Sequence, residues 1–185
     1  MNTHPFPKQL WEPTLTLEQR MAKMAEQLDL FPDDWEKLNL AQGYAQFSSW
    51  LLRLWKHNPP YDDIQALLFG IFETEKGLQL YIAGSSEWDG EDEEWADEPE
   101  YFPEERYPEI SSVAAVESLM KQDLVRGIDV AIGVIALFVI HFTIDHAEYL
   151  LQSRERLWLA TGFDEGELIQ LGCLKMNRRQ REIGR

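Results

Sequence analysis

Apolar residues recur along this chain with two periods, and the switches between them mark its elements. Leu17, Met21, Met24, Ala25 and Leu28 fall three or four apart, which predicts an amphipathic helix ending by Phe31-Pro32. Thr16-x-x-Gln19 has the spacing of a capping box at its start. A second helical stretch begins at Asp33 or Asp34 and runs towards Lys56 on Trp35, Leu38, Leu40, Tyr44, Phe47, Leu51 and Leu54, with Gly43 as a candidate break. Asn58-Pro59-Pro60 stops it, because proline donates no backbone bond and the residue before a proline avoids helical geometry. From Ile64 to Thr74 the β-branched and aromatic content predicts a strand. Glu75-Lys76-Gly77 turns it into a second strand, Leu78 to Ala83. Helix resumes near Ser111 or Ser112 on Val113, Val116, Leu119 and Met120 up to Gly127. Asp129 is then positioned to cap a helix through Val134, Phe138, His141 and Asp145 towards Leu151, with strand as the alternative where β-branched residues crowd. A last hairpin pairs Arg156 to Ala160 with Glu167 to Leu171 around Asp164-Glu165-Gly166. The order predicts one α+β domain over 1–185, an antiparallel sheet built from hairpins and packed against several helices. It carries an extended arm at 1–15 with Pro5, Pro7 and Pro13, and a basic tail at 175–185 with Lys175, Arg178, Arg179, Arg181 and Arg185.

Charge changes the picture between the two hairpins. From Glu87 to Glu109 there are twelve Asp or Glu residues and one base, Arg106, a balance of −11 out of −16 for all 185 residues. Gly90 and three prolines keep this stretch from long regular structure, so 86–109 is expected as an acidic surface segment. Carboxylates at this density repel one another unless solvated or met by a cationic partner. Acidic tracts without structure are usually poor in aromatics, whereas Trp88, Trp95, Tyr101, Phe102 and Tyr107 lie in this one. The two tryptophans are expected to turn inward and pin the segment, or to present one ring outward as an interface anchor. Trp35, Trp50, Trp55 and Trp158 sit in periodic apolar settings and are expected in the core, with Trp11 in the arm.

A net charge of −16 and a pI near 4.6 oppose binding to nucleic acid or to an anionic membrane, and favour a basic protein as partner. The lone Cys173 allows no internal disulfide, and Met1-Asn2-Thr3-His4-Pro5 has neither the basic start nor the apolar run of a signal peptide, which points to the cytoplasm. Val130 to Ile144 is apolar and uncharged for 15 residues, short of the roughly 20 that cross a bilayer, and is expected as a core element.

The run Gly84-Ser85, Trp88-Asp89, Glu91 to Glu94, Trp95-Ala96, directly after a predicted strand, resembles a pattern of small acidic immunity proteins from bacterial polymorphic toxin systems. Asp97 departs from it, standing where that pattern has a small residue or Cys. The resemblance implies a cytoplasmic protein, not an enzyme, that neutralises a cognate basic toxin domain. The segment Glu87 to Glu105 would do so, with Glu87, Trp88, Asp89, Glu91, Asp92, Glu93, Trp95 and Asp97 as the residues that meet the partner. The other readings are a structural or adaptor protein with a solubilising acidic loop and, behind it, a metal-dependent enzyme.

Chemistry has weaker candidates. His141, Asp145 and Glu148 fall on one helical face beside His146, but a polar cluster near a helix end is commoner than a ligand set and no Cys joins the face, so no metal is expected. Gly90 is misplaced for a calcium loop that needs glycine at its sixth position. No base or orienting acid stands near Cys173, no glycine-rich phosphate loop occurs, and Gly127 and Gly133 suit helix packing. No cofactor is expected.

Overall fold

The computed structural model describes residues 6, 8–30, 32–75, 77–90, 94–164, 166 and 168–176. The first hairpin forms as its pattern predicts, from β1 (Ala66–Thr74) and β2 (Gly77–Ser85), and the second from β3 (Arg156–Phe163) and β4 (Leu168–Lys175). The hairpins join through β1 and β3, which run parallel, in the order β2-β1-β3-β4. The sheet is therefore mostly antiparallel with one parallel pair at its centre. Hairpin periodicity does not specify that pairing, because it depends on how the chain returns between them. The return is made by α4 (Ser111–Met120) and α5 (Leu124–Leu151). Preceding the sheet are α1 (Leu17–Gln27), α2 (Pro32–Lys37) and α3 (Leu40–His57). Together they form an α+β fold.

Side chains alternate across a strand, so the sheet has two faces. Leu67, Phe69 and Ile71 of β1, with Leu80 and Ile82 of β2 and Leu157 and Leu159 of β3, join the main core beneath the helices. Phe47 of α3 centres that layer, its ring 5.8 Å from Phe138, 5.9 Å from Phe69 and 6.0 Å from Phe142. The opposite face is apolar too. Ala66, Leu68, Tyr81, Ala83, Ala160 and Leu168 form a second buried cluster there.

Most helix boundaries follow local chemistry. Thr16 and Gln19 make the expected capping box, with Gln19 N–H donating to Thr16 Oγ1 at 3.3 Å and Thr16 N–H to Gln19 Oε1 at 2.9 Å. The helical stretch after Pro32 breaks at Asn39, which takes φ 45°, and not at Gly43. Gly43 sits inside α3, where a Cβ would lie 1.9 Å from Ser112 Oγ, so the glycine admits α4 at close range. Asp123, rather than Asp129, caps α5 by accepting from the Arg126 N–H at 3.1 Å. The apolar run is thus the middle of a 28-residue helix. That helix is long and apolar enough to cross a membrane by length and composition, yet 78% of its most apolar window is buried inside the fold. It is the core helix, touching α1, α3, α4 and three strands.

Two buried arginines hold irregular chain against this frame. Arg20 is fully buried; its guanidinium donates to the carbonyls of Leu10 at 2.8 Å and Glu12 at 2.6 Å, and to that of Leu15. Over its described residues the arm is thus tied down rather than extended, with a 3-10 turn at Lys8–Trp11. Arg154 does the same before β1, donating to Ile64 at 3.1 Å, Pro60 at 2.6 Å and Tyr61. Burial lowers the Arg154 pKa, and the nearby Asp62 and Asp63 oppose that shift. The basic tail beyond Met176 lies outside the described residues.

His141 stands beside Arg20, its Nδ1 3.2 Å from Nη1, with Asp145 Oδ2 3.9 Å from Nε2 and the Tyr44 ring 4.7 Å away. Burial, more than any neighbour, holds its pKa below the ordinary 6.5, and Asp145 pulls the other way. A neutral ring therefore accepts from the guanidinium.

Two stability predictions follow from these contacts. Arg154→Met strands several loop carbonyls and should cost about 2 to 4 kcal/mol, lowering the melting midpoint by roughly 5 to 15 °C in calorimetry. The unfolded chain binds a proton at His141 more readily than the folded chain does. This contribution is therefore complete above pH 6.5 and lost as pH falls through the depressed folded value. His141→Gln keeps an acceptor for Arg20 and should flatten that part of the stability–pH curve; an unchanged curve would assign the dependence to other groups.

Candidate functional site

The acidic segment is built as the cover of the second sheet face. Trp88 stacks on Trp158 of β3 with centroids 4.8 Å apart and planes within 9°, and Trp95 meets Trp88 at 4.9 Å. Trp95, in a short 3-10 turn at Glu94–Ala96, is only 5% exposed. Both rings therefore turn inward, because Ala66, Leu68 and Ala160 would otherwise expose an apolar face to water.

Hydrogen bonds fix the path on either side. Gln65 Nε2 donates to Ser86 O at 2.7 Å, and the Ser86 N–H and hydroxyl donate to the Glu100 carboxylate at 2.9 and 2.7 Å. These bonds, the Ser86 N–H first, hold the Glu100 pKa below its ordinary value. Tyr101 then pairs antiparallel with Gly84, exchanging bonds of 2.8 and 2.9 Å. Ile82 N–H donates to Arg106 O at 3.3 Å, so the outer edge of β2 is covered rather than open. Trp50 Nε1 reaches across from α3 to Glu105 O at 2.7 Å, and Tyr101 donates to Asn58 O at 2.8 Å.

With the rings inside, the carboxylates point out. Glu87, Asp89, Glu94, Asp97, Glu98 and Glu100 are exposed around a surface hollow of about 820 Å³ floored by Trp88 and Trp95. Of the residues expected to meet a partner, Glu87, Asp89 and Asp97 stand at this rim, while Trp88 and Trp95 support it from beneath. Glu91, Asp92 and Glu93 lie outside the described residues. Sequence reasoning missed Gln65, which immediately precedes β1, Trp158 of β3, and Glu100, whose acceptor role depends on Ser86 folding back to it. The one available signal was Trp158 itself, which alternation puts on the face opposite Leu157 and Leu159. Trp50 and Trp55 are buried in the main core as expected.

The other candidates find structural surroundings. His141 Nδ1 faces a guanidinium, which disfavours a cation at that nitrogen. Burial pushes the Cys173 thiol pKa up and keeps it protonated. Among the described residues no three His, Cys, Asp or Glu side chains group as a metal site would need.

Comparisons with protein-family models, with curated proteins and with solved structures give no match to this chain.

The Trp88–Trp158 stack predicts its own test. An aromatic pair contributes about 0.5 to 1.5 kcal/mol beyond the area it buries, so Trp158→Ala should speed hydrogen exchange in 86–100 by roughly tenfold or more. Amides of α5 should change far less; equal protection in both proteins would mean that the flanking hydrogen bonds alone hold the segment.

Proposed function

We propose that this chain is an immunity protein that binds a cognate basic toxin domain and neutralises it with the acidic face. One observation carries the reading: the carboxylates are displayed by a segment anchored through buried aromatic rings and backbone hydrogen bonds, so the charged surface is ordered before any partner arrives. Covering the second sheet face accounts for the inward rings, and the immunity reading accounts for the concentration of carboxylates on the outer side of that cover. Pre-ordering lowers the entropy lost on association. Concentrated negative charge steers a cationic cleft towards the surface and raises the rate of encounter. The sequence pattern from Gly84 to Ala96 supports the same assignment, and the localised balance of −11 supplies the complementarity.

The inward rings revise how the work is divided. Trp88 and Trp95 act through the carboxylates they position, and contact with the toxin falls to Glu87, Asp89, Asp97 and Glu98 at the exposed rim.

The test begins with the neighbouring genes: one that ends in a small basic domain should arrest growth alone and spare cells that also make this chain. Replacing Glu87 and Glu98 with Gln and Asp89 and Asp97 with Asn should slow association by about tenfold at low salt and weaken its salt dependence. The melting temperature should stay unchanged. Wild-type kinetics in that variant would make the face a solubilising surface and sink the proposal.

A further inference from the structure

Next to the acidic hollow lies a second, smaller cavity of about 200 Å³, between the acidic segment and the turn joining β3 to β4. Four aromatic rings line it: Phe72 and Tyr81 from the first hairpin, Phe102 and Tyr107 from the segment. They meet at steep angles, Tyr81 to Phe102 at 77° and 6.4 Å, Phe72 to Tyr81 at 70° and 5.8 Å, Phe72 to Tyr107 at 57° and 5.7 Å. Inclined planes of this kind make walls instead of a stack. Tyr81 lies directly over Gly70, where a Cβ would come within 2.2 Å of the ring, so a side chain on β1 at that point would displace the wall.

Two carboxylates also line it, and they arrive from separate parts of the chain. Asp97 also borders the acidic hollow, so the two depressions are neighbours that share this residue. Asp164 comes from the β3–β4 turn, where its N–H donates to Ile71 O at 2.9 Å and its Oδ1 accepts the Tyr81 hydroxyl at 2.6 Å. That bond and, more strongly, burial push the Tyr81 pKa up, so the phenol stays protonated as a donor.

We propose that this cavity receives one arginine or lysine side chain of a basic protein partner. Aromatic faces attract cations through the ring quadrupole, and carboxylates at the same place add direct charge attraction. Arg106 already uses two of these rings in this way, so Asp97 and Asp164 must also offset its charge when a second cation enters. The Arg106 guanidinium packs 3.9 Å from the Phe102 centroid and 4.4 Å from that of Tyr107 without itself lining the cavity. Size narrows the occupant further. At about 30 Å³ per water the space holds roughly six, enough for a cationic head and its last methylenes. It falls below the 300 Å³ or so at which drug-sized ligand sites begin. Phe102 and Tyr107 remain 47% and 43% exposed, so the opening faces solvent beside the surface assigned to the toxin. The inference rests on the immunity reading for the partner's identity, whereas the cavity's preference for a cation does not.

The test uses the full chain, isotopically labelled, titrated with Nα-acetyl-arginine amide, Nα-acetyl-lysine amide and the uncharged Nα-acetyl-citrulline amide. Amide shifts at Ala83, Ala96, Phe102 and Asp164 should saturate with the two cations, and citrulline should bind about tenfold more weakly or not at all. Phe102→Ala should weaken arginine binding by about two- to fivefold through loss of one ring, and Asp164→Asn by at least as much. Phe102 is a half-exposed side chain, and its variant's spectrum shows directly whether the fold survives. Equal binding of citrulline, or shifts confined to Glu87, Asp89 and Glu98, would overturn the proposal in favour of a neutral occupant or of diffuse charge attraction. Binding to the toxin separates the two readings. Full protection by both variants with wild-type affinity sinks the cavity's role and spares the immunity function, whereas a cation-selective cavity in a protein that protects against no neighbouring toxin sinks the immunity function alone.

Discussion

The two central strands of the sheet, β1 and β3, are apolar on both faces, and the rest of the architecture answers that constraint. Alternation sends Leu67, Phe69 and Ile71 to one side and Ala66, Leu68 and Phe72 to the other, so one helical layer cannot cover the sheet. The helices take the first face. The second is left to the segment richest in charge, which succeeds because its aromatics and its carboxylates divide between inside and outside. Small residues at Ala66, Gly70, Ala83 and Ala160 give the large rings of Tyr81, Trp88 and Trp95 a floor to lie on.

The central parallel pairing of β1 with β3 has a related cause. A parallel neighbour requires a long crossover, and α4 and α5 supply it on the helical side. Burying a 28-residue helix of such apolar character requires neighbours on several sides, and the N-terminal arm is one of them, while the loop before β1 is drawn in by Arg154 just beyond the helix. Those stretches have irregular backbone whose carbonyls need donors. Arg20 and Arg154 provide several N–H groups each from one rigid fork, a task that lysine's single ammonium meets less well.

Under the proposed function, the same design would separate stability from recognition. Apolar contacts that hold the segment lie beneath it, and the charges that the proposed function assigns to a partner lie above. The hollow and the aromatic cavity share Asp97, which sets a diffuse electrostatic region beside a shaped one. Electrostatic steering acts at long range and contact in a fitted cavity acts at short range, so under the proposed function the two parts would govern different stages of association.

The sequence by itself determined the kind and order of the elements. The capping box at Thr16, both hairpins and the α+β class depend on residues within a few positions of one another, and local periodicity reports such contacts directly. It also determined that charge is concentrated in one segment, since charge is carried by composition alone. Boundaries set by distant neighbours were not legible there: Gly43 reads as a break until Ser112 comes up against it. Only the tertiary structure decided that Trp88 rests on Trp158, that Ser86 and Glu100 close the hollow, and that Asp164 joins Phe102 and Tyr107 around a cavity. These partners lie on different elements, brought together by the parallel pairing of β1 with β3, and no period within a single segment encodes which strand another will lie beside.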